Sequence, residues 1–129
     1  HIKRNVIDTG LSILRARKMY GGSEKRWWSL LPRKINRISK LSPEQQIKSQ
    51  ILSTYEDIDY QVRETNARLI TLQYEDICRH PRKFLSLIAK ELNVDVKSLP
   101  RRSFKPHINL FPRDSLEARL VDILKDIER

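Results

Sequence analysis

HIKRNVIDTGLSILRARKMYGG, residues 1–22, passes from an extended stub into a helix within a few residues. From Val6 to Tyr20, Ile7, Leu11, Leu14 and Met19 trace roughly one helical face. Gly21-Gly22-Ser23 supplies the stop, because glycine tolerates the left-handed backbone that ends a helix. His1 to Lys3 reads as the end of a strand, which puts Arg4 at a strand's carboxyl end just before a helix. In open α/β sheets that edge is where ligands bind. Arg4 offers a planar fork of donors that matches a phosphate, and Ser12, just over two helical turns beyond, adds a neutral hydroxyl. On spacing alone, a surface arginine and a helical serine with no ligand is the simpler reading.

Working outward, Arg26-Trp27-Trp28-Ser29-Leu30-Leu31-Pro32 is a compact aromatic patch, suited to packing or to contact with an acceptor molecule. Ser42-Pro43-Glu44-Gln45 is a strong helix start, with a capping serine, proline at the first helical position and Gln45 closing a capping box. Ile47, Ile51, Tyr55, Ile58 and Val62 then recur at helical steps. RLITLQ, residues 68–73, reads as a short buried strand from its β-branched content. Pro81 opens another helix carried by Phe84, Leu85, Ile88 and Leu92, with Asn93 as its stop. Residues 95–113 form a basic loop broken by Pro100, Pro106 and Pro112. Asp114-Ser115-Leu116-Glu117 caps a last helix with Leu116, Leu120, Ile123, Leu124 and Ile127 inward.

The chain has 129 residues, 26 Lys and Arg against 16 Asp and Glu, and a net charge of +10. That excess implies an anionic partner: nucleic acid, anionic lipid or a phosphorylated small molecule. One cysteine, Cys78, excludes an internal disulfide, and with three histidines it builds no zinc pattern. No apolar run approaches the roughly 18 residues of a membrane span. The order strand end, helix, helix, strand, helix, basic loop, helix suits the helix-covered edge of an α/β sheet. One full strand cannot make a sheet, so part of the fold is expected to lie outside these residues.

RNVIDTGLSILRAR resembles the 3'-phosphate-binding segment of the sulfotransferases that use 3'-phosphoadenosine 5'-phosphosulfate (PAPS). Arg4, Asn5, Asp8 and Ser12 fall on that family's pattern, while Val6 stands where the family often has proline. RLITLQYEDICRHPRKFLSLIAKELNV is similar to the family's strand ending in Tyr-Glu-Asp, followed by proline and a helix; Tyr74, Glu75, Asp76 and Pro81 fit it. The resemblance implies that Arg4 and Ser12 bind the 3'-phosphate and that Tyr74 lies near the adenine, the alternative being a half-buried core tyrosine. Glu75 and Asp76 would hold the turn through backbone donors. Arg101-Arg102-Ser103-Phe104-Lys105-Pro106-His107 matches in composition the basic loop that closes over the nucleotide, although a solvated loop would look the same. Arg101 and Arg102 are its candidate phosphate contacts.

The family's glycine-rich phosphosulfate loop and its catalytic base are not among these residues, and His1, His80 and His107 do not replace them. The expectation is therefore an α/β chain: the helix-rich C-terminal part of a P-loop-type parallel-sheet sulfotransferase fold, with residues 1–129 a single segment and most of the sheet missing. It would serve an enzyme moving a sulfuryl group from PAPS to a hydroxyl or amine, and would be inactive alone. The cofactor is PAPS or its product 3',5'-adenosine bisphosphate, with no metal and no catalytic residue in the segment. Partners are the nucleotide, a small-molecule or glycan acceptor, and the N-terminal half of the same fold; nucleic acid is not expected. The cytoplasm is favoured as location, with the compartment left open. The competing reading is a basic helical module that binds nucleic acid or another polyanion without catalysis.

Overall fold

The computed structural model describes residues 1–94 and 114–127. In chain order the elements are β1 (Ile2–Lys3), α1 (Val6–Gly21), α2 (Ile35–Ile38), α3 (Pro43–Thr65), β2 (Leu72–Gln73), α4 (Tyr74–Arg79), α5 (Pro81–Glu91) and α6 (Ser115–Lys125). They fall into two compact units. One holds β1, β2, α4 and α5, and the other holds α1, α2, α3 and α6. The chain is thus helix-rich with a two-stranded parallel sheet, compatible with an α/β description.

The larger unit is built on three helices. Leu11 and Leu14 of α1, Ile47 and Ile51 of α3, and Leu120, Val121 and Leu124 of α6 form one buried cluster. Burying an aliphatic side chain of this size is worth about 1.5–3 kcal/mol, so this cluster is the unit's main stabilising term. Gly10 of α1 leaves room for a side chain of α6: a Cβ there would collide with Leu124 Cδ1. Charged pairs frame the apolar seam. Arg15 Nε donates to Glu117 at 2.9 Å, and Arg119 Nε donates to the buried Glu44 at 2.7 Å. Burial pushes the Glu44 carboxyl up, but hydrogen bonds from Arg119, its own backbone N–H and Ser42 together outweigh this and leave it below its ordinary value.

The helix ends follow the local signals. Gly22 takes φ +72° after α1, and Ser42 Oγ accepts from Gln45 N at the start of α3. Asp114 Oδ1 accepts from Glu117 N at 2.8 Å at the start of α6. Lys18 also donates to Asp114. That bond first, and the Glu117 backbone N–H second, hold the Asp114 carboxyl below its ordinary value. Such a group stabilises the fold above its unfolded pKa and loses that contribution as pH falls through its folded pKa. Asp114→Asn keeps a capping acceptor but cannot ionise. Its thermal midpoint should therefore fall less steeply than wild type between about pH 5 and about pH 2. Parallel declines would remove Asp114 from the acid response.

Three expectations need correction. Met19 is 72% exposed; the stripe through Gly10, Leu11 and Leu14 continues instead to Arg17, which the 3.6-residue turn brings inward. The strand over residues 68–73 shrinks to Leu72–Gln73, because the strand it pairs with among the described residues is only Ile2–Lys3, and Leu69 is exposed. On α5, Leu85 and the following Leu92 are exposed and Ala89 is the buried residue, so this helix covers little core with its long side chains. Among the described residues no helix is long and apolar enough to cross a membrane.

Candidate functional site

In the smaller unit β1 and β2 run parallel, with Ile2 opposite Leu72 and Lys3 opposite Gln73. Parallel pairing aligns the carboxyl ends of the two strands, so the residues that follow each strand meet at one edge. Arg4 follows β1 and Tyr74 follows β2, and the Arg4 guanidinium lies 5.2 Å from the centre of the Tyr74 ring. That distance is within cation–π range, which contributes about 0.5–1 kcal/mol where partly exposed. One residue further along each chain, Asn5 N donates to Glu75 Oε1 at 3.1 Å. The two strand ends are therefore tied twice across about seventy residues of sequence separation.

Glu75 thus makes a structural bond to a backbone donor, as expected of it. Asp76 instead faces Arg79 at 3.6 Å, and its carbonyl accepts from His80 N. The Tyr-Glu-Asp sequence opens α4 directly rather than a turn, since the backbone goes from extended Gln73 straight into helix. Cys78 is buried in this unit as a small apolar side chain. Arg4 and Tyr74 are both half-buried. Ser12 is half-buried on α1, in the larger unit. Arg101 and Arg102 lie outside the described residues.

The larger unit carries a second constellation that the sequence reading passed over. Arg17 is fully buried, and burial pushes its pKa below the ordinary guanidinium value. Among the described residues no carboxylate pairs with it. Its Nη1 donates to Gln46 Oε1 at 2.8 Å and to Glu24 O at 3.3 Å, and its Nη2 donates to Gln50 Oε1 at 3.0 Å. The guanidinium also lies 4.9 Å from the Trp27 ring centre.

Why glutamine rather than glutamate answers the charge? Each amide works in both directions. Gln46 Nε2 donates to the carbonyls of Ser39 and Leu41, and Gln50 Nε2 to those of Trp28 and Leu30. A carboxylate only accepts, so it would face those carbonyls with no proton to give. Arg17 and the two glutamines thereby fix the course of residues 24–41 over the helices. Trp27 belongs to this packing, its Nε1 donating to Leu30 O, while Trp28 stacks on Tyr20 at 4.8 Å. The signal for Arg17 was its place on the Leu11–Leu14 stripe, where an apolar residue would ordinarily stand.

Among the described residues no group of three or more His, Cys, Asp or Glu is placed to hold a metal ion. No family model, no curated protein and no solved structure matches this chain.

Proposed function

We propose that this chain supplies the 3'-phosphate and adenine side of a PAPS site in a sulfotransferase. The observation that carries the reading is the meeting of Arg4 and Tyr74 at the carboxyl ends of two adjacent parallel strands. That edge is the usual ligand edge of an open parallel sheet. A guanidinium there presents donors to a phosphate, and the tyrosine ring presents an apolar face to a purine. The resemblance also names Ser12, Arg101 and Arg102 as phosphate contacts, and their part in the site rests on the resemblance alone.

The chemistry would be an in-line sulfuryl transfer from PAPS to a hydroxyl or amine of a small-molecule or glycan acceptor. The S–O bond to the 5'-phosphate breaks as the bond to the acceptor forms, and 3',5'-adenosine bisphosphate leaves. Positioning and charge neutralisation carry most of such a transfer. These residues would contribute cofactor binding; the phosphosulfate loop and the base that takes the acceptor proton would come from the N-terminal half of the fold.

Arg4→Ala should weaken binding of 3',5'-adenosine bisphosphate by about 1.5–3 kcal/mol, the range for a hydrogen bond to a charged group. Binding of 5'-AMP should hardly change, because the lost contact is to the 3'-phosphate. Calorimetry on the two nucleotides reads both numbers, and an unchanged affinity for the bisphosphate would remove Arg4 from the site.

The net charge of +10 favours one other reading, a polyanion-binding module. It predicts affinity for any nucleic acid that falls steeply with salt and ignores the position of a single phosphate.

A further inference from the structure

We propose that the cleft between α3 and residues 29–32 binds a small uncharged molecule: one hydrocarbon ring or short chain bearing a single hydroxyl. Two cavities share Leu30 and Thr54 as lining. The inner one has a volume of about 130 Å³, with Ile13 and Ile51 as apolar lining and Thr9, Ser29 and Tyr55 as polar lining. The outer one, about 340 Å³, is lined by Leu31, Pro32, Ile58 and Val62, with Asp57 at its edge. An apolar cavity of roughly 150 Å³ is enough to hold a benzene-sized ring.

The lip of this cleft is built at a cost. Ser29 has φ +78°, a left-handed conformation that a residue with a side chain adopts at about 1–3 kcal/mol. It is held there by the Gln50 amide, which donates to the carbonyls on either side, Trp28 O and Leu30 O. Gln50 is in turn oriented by the buried Arg17. Packing of the core does not explain the strain, because Leu30 and Leu31 stand 69% and 68% exposed. The network presents two leucines at the rim of a cavity instead of burying them, and strained backbone of this kind gathers at ligand clamps.

Charge selects the occupant. Among the described lining residues Asp57 is the only one with an ionised side chain, and Arg33 Nε donates to it at 2.6 Å. Thr9, Ser29 and Tyr55 place neutral hydroxyl groups in the inner lining, and a hydroxyl oxygen accepts as well as donates. A neutral ligand whose one hydroxyl can donate to these oxygens fits this set; an anion would meet no cation in the described lining. The inference does not depend on nucleotide binding.

The test is a titration of the longest polypeptide that carries these 129 residues with cyclohexanol, followed by methyl and amide NMR, with cyclohexanecarboxylate in parallel. Saturable shifts confined to Ile13, Leu30, Ile51, Ile58 and their neighbours are expected with the alcohol, and at least tenfold weaker binding with the acid. Leu30→Asp, at an exposed position, should weaken the alcohol at least tenfold. Ser29→Gly relieves the strain and loosens the lip, so binding should weaken while the thermal midpoint holds or rises. Dispersed or non-saturating shifts would overturn the proposal, as would equal binding of the acid or unchanged binding by Leu30→Asp.

Discussion

Arg17→Ala is expected to cost the larger unit about 3–5 kcal/mol, from buried acceptors that lose their donor and from the cavity left by its stem. The substitution deletes three hydrogen bonds from a guanidinium and leaves Gln46 Oε1 and Gln50 Oε1 without their donor. Each buried acceptor left unsatisfied costs about 1–3 kcal/mol, and the lost stem adds a cavity. Against a total stability of about 5–15 kcal/mol for a domain, this brings the unit close to unfolding. Gln50→Glu is the sharper comparison. If pairing the buried charge were what mattered, a carboxylate beside Arg17 would stabilise. If the two-way amide is what matters, Gln50→Glu destabilises, because the carbonyls of Trp28 and Leu30 lose their donor. Urea unfolding of both variants decides between them; a Gln50→Glu chain more stable than wild type would refute the account of the network.

Leu120→Ala is the second large effect, expected at about 2–5 kcal/mol. Leu120 has no exposed surface and lies in the cluster that joins α1, α3 and α6. Truncation leaves a void that three helices must close together, and the space beside Gly10 is already filled by Leu124 Cδ1. Little further collapse is available, so the upper part of the range applies. Denaturant unfolding followed by helical circular dichroism measures it. A loss below about 1 kcal/mol would mean that α6 is not packed as described.

Those two residues show different sides of what the sequence disclosed. Leu120 was legible because α6 is announced by the Asp114 cap and a clear helical period, both local signals. The starts and stops at Gly22, Ser42 and Asn93 were legible for the same reason. Arg17 was not, because a charged residue on an apolar stripe is ordinarily counted as solvent-facing. Only its partners, the paired glutamines one turn apart on α3, make burial tolerable, and those lie about thirty residues away. The strand at 68–73 was overdrawn because β-branched composition speaks to propensity, whereas strand length is set by the partner available.

The candidate nucleotide edge was legible in part. The strand-to-helix passages at Arg4 and Tyr74 can be read from local pattern. That the two strands pair in parallel, with Asn5 bonded to Glu75, is a tertiary fact that no window of sequence contains. Ser12 keeps its place on α1, and Arg101 and Arg102 fall outside the described residues, so their assignment to the phosphate rests on the resemblance alone.

The most direct measurement is calorimetric binding of 3',5'-adenosine bisphosphate against 5'-AMP, made on the longest polypeptide that carries these 129 residues. The account predicts binding of the bisphosphate that is at least tenfold tighter, a preference that shrinks in Arg4→Ala. Equal affinity for the two nucleotides in a folded protein would contradict the cofactor site and leave polyanion binding as the better reading of the charge.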